Sequence, residues 1–117
     1  MNKITLELAS IDEIITLQLV LQQYVTRCNE TIKVINRDTD LFLENVLAID
    51  QLQPLFLRLR NKTEKRNELS KKMKVSLSYS EAILLMQCCN KITSQNEHNK
   101  YVLQKVVNII HPQLISI

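Results

Sequence analysis

Apolar residues recur along most of this chain at the spacing of one helix face, and two short stretches alternate instead. Ile14, Leu17, Leu21, Tyr24, Cys28, Thr31 and Ile35 follow one another at intervals of three and four. Six of those seven are apolar, which predicts a helix over about 10–35. Asn36–Asp40 is a polar break rich in capping residues. A second helix is expected over about 40–52, where Leu41, Phe42, Leu43, Val46, Leu47, Ile49 and Leu52 leave almost no polar side. Pro54 fits the first turn of a new helix better than the middle of an old one, so a third helix is placed over about 53–72. A fourth is expected over about 79–93 and a fifth over about 97–110, ended by Pro112.

Ile4–Leu8 alternates apolar and polar, and so does Val75–Leu77. Each leads into Ser-x-x-Glu, first at Ser10–Glu13 and again at Ser78–Glu81, 68 residues later. That pattern is a capping box, in which serine and glutamate satisfy each other's backbone N–H groups. The similarity suggests a weak internal repeat, 4–17 against 72–85, with strands at about 3–8 and 74–77 that could pair as a ribbon. The fold class expected is all-α, a bundle of four to five helices over 1–117 as a single domain, with that ribbon beside it.

Composition sharpens this picture. None of the 117 residues is glycine, where average usage of about 7% would give roughly eight. The chain therefore has no residue that enters positive φ without steric cost. Glycine-dependent phosphate loops, dinucleotide fingerprints, nucleophile elbows and type I′ hairpins are excluded with it. Eighteen Leu and 13 Ile, against two Phe and no Trp, make the core aliphatic. Scarce Gly, Ala and Pro beside abundant Ile, Leu, Asn and Lys point to an AT-rich gene, as in a low-GC bacterium, a phage or another mobile element.

Candidate chemistry is sparse. Cys28, Cys88 and Cys89 form no C-x-x-C, and the adjacent pair points to different sides of any helix, so they read as small buried hydrophobes in a reducing compartment. His98 and His111 lie at neither i+3 nor i+4 from a carboxylate or each other, so no helical metal signature is present. Asp38 and Asp40 lack the glycine and closing glutamate of a calcium loop and read as caps. No set supplies nucleophile, base and orienter. The expectation is a protein with no catalytic residues, no metal and no cofactor. A charged start and the lack of 18 uncharged apolar residues in a row predict neither signal peptide nor membrane span, hence a cytoplasmic protein.

Charge is the uneven feature. Residues 58–74 carry +6 while the whole chain carries +3. Arg58, Lys62, Lys65, Arg66 and Lys72 would gather near one side of a helix and are the candidate contacts to an anionic partner, acidic protein or nucleic acid. The plainer alternative is a solvated face, supported by the i,i+4 pairs Arg60–Glu64 and Glu68–Lys72. No aromatic residue interleaves the cations, which disfavours single-strand stacking.

The stronger expectation comes from surplus apolar helix surface in 41–59 and 102–117. Leu43, Leu47, Phe56, Val102, Val106, Ile110 and Leu114 are the interface candidates, and apolar a and d positions can pair with a copy of the same helix. The expected function is a non-enzymatic interaction module, a homo-oligomer or the partner of another protein. It would serve as a phage structural component or an inhibitor of a host protein, with nucleic-acid binding through 58–74 as the alternative.

Overall fold

A computed structural model describes residues 3–64, 72–92 and 96–116. The elements run β1 (Ile4–Leu8), α1 (Ile11–Ile32), α2 (Asp40–Glu64), β2 (Met73–Leu77), α3 (Tyr79–Lys91) and α4 (Glu97–Ile115). The chain is mostly helical, with one two-stranded antiparallel sheet. The expected ribbon therefore forms beside the helices.

The register pairs Ile4 with Leu77, Leu6 with Val75 and Leu8 with Met73. Period-2 alternation puts these six side chains on one face, and all six are buried. A lone two-stranded ribbon is marginal in water. This one persists because its inner face is core and its edges are occupied. On the β1 edge, the Thr5 N–H donates to Gln113 Oε1 at 3.0 Å and Gln113 Nε2 donates to the Thr5 carbonyl at 2.8 Å. On the β2 edge, Arg58 Nη2 donates to the carbonyl of Ser76, the residue opposite Thr5, at 3.0 Å.

Among the described residues four helices stand where four to five are expected, because the predicted 40–52 and the described part of the predicted 53–72 form one element, Asp40–Glu64. Pro54 lies inside α2 and Pro112 inside α4, so neither marks a boundary. An interior proline costs about 3 kcal/mol. The buried stripe Ala48, Leu52, Leu55 and Leu59 runs straight across Pro54. A break there would turn the second half of the stripe off the core, and burying a leucine is worth about 1.5–3 kcal/mol. Packing on both sides of the proline thus outweighs its local cost.

The turn before α2 is built without glycine. The Asp38 N–H donates to Asn36 Oδ1 at 2.9 Å, and the Phe42 N–H donates to Thr39 Oγ1 at 3.3 Å. No described residue has positive φ.

The two Ser-x-x-Glu boxes differ. At α3 the box closes both ways: the Glu81 N–H donates to Ser78 Oγ at 3.1 Å and the Ser78 N–H to Glu81 Oε1 at 2.9 Å. At α1 the Ser10 side chain makes no cap bond, and Glu13 Oε1 accepts instead from the Ala9 N–H at 2.8 Å. Both glutamates are then claimed by a cation from a later or earlier helix. Lys105 Nζ of α4 reaches Glu13 Oε1 at 2.9 Å, and Arg58 Nη1 of α2 reaches Glu81 Oε2 at 2.6 Å. The order β-α-α occurs twice, and the second helix of each half clamps the strand and first helix of the other. The buried apolar residues form one contiguous cluster linking both halves.

Candidate functional site

α2 carries apolar residues on more sides than the core can cover. Its stripe Ala48, Leu52, Leu55, Leu59 is buried against the rest of the chain. At 100° per residue, Leu43, Val46, Leu47 and Leu57 fall on the far side of the helix. They remain 60%, 39%, 52% and 47% exposed. Leu41, at 51%, lies on the core side but at the overhanging start of the helix. Single exposed leucines need no explanation, but Leu43, Val46 and Leu47 stand together on one side of the helix within little more than one turn.

Beside this shelf, α1, α2 and α3 diverge to leave an open groove of about 730 Å³. Leu41 and Leu47 stand on its α2 side and Ile83 on its α3 side, while the buried Cys28 and Ala48 close its floor. Arg27 and Lys91 add positive charge to it. Lys91 Nζ donates to Tyr24 Oη at 3.4 Å. Among the described residues neither cation has a carboxylate partner. Burial, with the nearby Cys28, raises the Tyr24 hydroxyl above its usual pKa.

The expected interface residues divide. Leu43 and Leu47 are exposed on the shelf, whereas Phe56 and Leu114 are half-buried and packed against the core. Val102, Val106 and Ile110 have no exposed surface at all. They are the inner stripe of α4, so their assignment to an interface is corrected: the core of this chain already covers them.

The basic candidates divide too. Arg58 is spent inside the molecule, on Glu81 and the Ser76 carbonyl. Lys62 is exposed and has no ion-pair partner among the described residues. Lys72 Nζ lies 3.8 Å from Glu7 Oε1. Lys65 and Arg66 lie outside the described residues. Arg60 is paired with Glu64 at 2.9 Å, as its i,i+4 spacing predicts.

The cysteines are poor nucleophiles. Burial pushes all three thiols up, with Cys89 at about 12 and Cys88 higher still, so none carries useful thiolate near neutrality. No group of three or more His, Cys, Asp or Glu capable of holding a metal occurs among the described residues. No described helix is long and apolar enough to cross a membrane.

Sequence reasoning singled out Leu43 and Leu47 but not Val46, Leu57 or Ile83. The signal was present: plotted as one helix, 40–64 gives two apolar stripes on opposite sides. Dividing it at Pro54 hides the second. No known family, curated protein or solved structure matches the chain.

Proposed function

We propose that this chain is a non-enzymatic interaction module that works by protein–protein association through the outer face of α2. One observation carries the reading: Leu43, Val46, Leu47 and Leu57 are substantially exposed on a helix whose opposite stripe is fully occupied by the core. The apolar area these four side chains leave in water adds nothing to the stability of the isolated chain. Covered by a partner, each contributes on the order of 1 kcal/mol or more. The partner is a second copy or another protein in the same cytoplasm. The amino-acid bias, rich in Ile, Leu, Asn and Lys and poor in Gly, Ala and Pro, fits a phage or mobile-element gene, and so a structural component or an inhibitor of a host protein; the base composition of the gene checks that origin.

The nucleic-acid reading draws less support. Of its five cations, Arg58 is already neutralised by Glu81, and among the described residues only Lys62 stands free to meet a phosphate.

The test replaces Leu43 and Leu47 together, Leu43→Lys with Leu47→Glu, in the full chain. Both sites are surface positions, so the unfolding free energy stays within the range of ordinary surface substitutions, about ±0.5 kcal/mol each. Captured complexes from the cells that make the protein, the chain itself included, are held by the wild type and lost by the double variant. Equal retention by both proteins would refute the assignment of this face.

A further inference from the structure

We infer that the partner on this face is another protein whose contact surface is aliphatic with one lysine or arginine at its centre, and that this cation pairs with Asp50. The inference rests on the reading of the outer α2 face as the association surface, and adds the chemistry of what covers it.

Asp50 stands where that face would otherwise be continuously apolar. Leu43, Asp50 and Leu57 are spaced seven apart, so they fall close to one line along α2. The neighbours of Asp50 on the helix surface, three, four and seven residues away, are Leu43, Val46, Leu47, Gln53, Pro54 and Leu57. Only Gln53 among them is polar. An open groove of about 510 Å³ lies between this side of α2 and the last turn of α1. Ile32, Val46, Ile49, Pro54 and Leu57 give it apolar walls, and Asp50 is the single charged residue that lines it.

The carboxylate is unclaimed within the chain. Glu13 and Glu81 are each bound by a cation from another helix. Asp50 has no ion-pair partner among the described residues, and its side chain accepts only a long hydrogen bond, from Gln51 Nε2 at 3.5 Å. Left exposed to water, the charge costs nothing. A partner that covers Leu43, Val46, Leu47 and Leu57 must strip that water away, and a buried charge without a counter-charge is strongly destabilising. The gain from the four aliphatic side chains is therefore kept only if the partner brings a cation to Asp50. Lysine and arginine suit the groove, because their aliphatic stems lie along Val46 and Leu57 while the charged head meets the carboxylate.

The same residue disfavours two copies meeting face to face. The sector of α2 from Val46 round to Leu47 holds no cation. Arg58 and Arg60 lie just outside its two borders and are bound to Glu81 and Glu64, and Lys62 lies farther round, beyond Arg58. A symmetric pair would cover each carboxylate with apolar side chains or with its own copy. One charge inside an apolar seam thus acts as a selector, admitting the matching surface and rejecting others.

The test places a photo-activatable cross-linking amino acid at position 43 of the full chain and compares the wild type with Asp50→Glu, Asp50→Asn and Asp50→Leu. Lysates of the cells that make the protein are diluted stepwise before irradiation, and the dilution that halves the adduct reports the affinity. Circular dichroism melting confirms that each variant folds, as expected at an exposed position. The wild type gives an adduct with a different protein. Asp50→Glu keeps the halving dilution within about threefold, well inside 1.4 kcal/mol. Asp50→Asn and Asp50→Leu each lower it about tenfold, which is 1.4 kcal/mol, because the partner's cation is then covered without its counter-charge. The leucine variant gives the sign. Against a partner without a cation, removing the carboxylate removes a desolvation cost, so Asp50→Leu binds as well as the wild type or better. That result overturns the inference and leaves the outer face standing. An adduct of twice the chain's mass also overturns it, since the partner is then a second copy. No adduct from position 43 overturns the outer face itself, and the inference with it.

Discussion

Replacing Leu55 by Ala lowers the unfolding free energy by about 2–5 kcal/mol, whereas Leu43→Ala on the same helix changes it by no more than about 0.5 kcal/mol. Leu55 has no exposed surface and follows directly on Pro54. It belongs to the stripe that carries α2 across the proline, so its truncation leaves a cavity at the point where the helix has lost a backbone hydrogen bond. Leu43 is 60% exposed and makes no part of the core. Urea denaturation of the two variants separates the faces of α2 by the free energy each supplies. Equal losses at both positions would mean that the outer face is structural, and that it has no spare surface to offer a partner.

Lys105→Met costs about 2 kcal/mol at neutral pH, less than the 3–5 kcal/mol of a fully buried pair because the lysine is partly solvated. Its partner Glu13 sits 92 residues away at the start of α1, with the side chain only 9% exposed. Burial pushes the Glu13 carboxyl up. The Lys105 ammonium and the Ala9 N–H, with a small contribution from His98, outweigh it and hold the group below its usual value. A carboxylate depressed in the folded state stabilises the fold above its unfolded pKa near 4.3, and that stability is lost as pH falls through the lower folded value. Without Lys105 the burial of the Glu13 carboxylate dominates, and acid then relieves the strain instead of adding to it. The difference between wild type and variant therefore narrows below about pH 4. Glu81 behaves alike. Its burial is outweighed by Arg58 and by the backbone and side chain of Ser78, so acid unfolding draws on both clamps. Thermal melts of wild type and Lys105→Met at neutral and acid pH read the sign directly.

Much of the architecture is legible in the pattern of residues. The period-2 stretches are the two paired strands, the absence of glycine agrees with the lack of positive φ among the described residues, and the Ser78–Glu81 box closes as its spacing implies. Long-range packing is what the pattern misses. Pro54 and Pro112 look like boundaries locally, and only the stripes running past them keep α2 and α4 whole. Glu13 resembles half of a capping box, yet its stabilising partner, Lys105, comes from the far end of the sequence. The same limit governs the site. An apolar stripe reads alike whether a neighbouring helix or solvent faces it. By pattern alone Val102, Val106 and Ile110 are therefore as available as Leu43 and Leu47, although α4 packs them into the core. Composition correctly sets the amount of aliphatic surface but not which helix is left holding the excess.

The basic stretch shows how position changes the meaning of charge. Arg58 looks like the first of a row of phosphate contacts. In the fold it is the bolt between α2, β2 and α3, with Glu81 and the Ser76 carbonyl as its partners. The charge that remains on α2 is then better described as a polarity along its axis than as a patch.

The central claim is that the outer face of α2 meets another polypeptide. A photo-activatable cross-linking amino acid placed at position 43, and separately at the exposed Gln104 of α4, measures this with least interpretation. Irradiation of the cells that make the protein should give a discrete higher-mass adduct from position 43 and none from position 104. Adducts in equal yield from both sites, or none from position 43, would contradict the account.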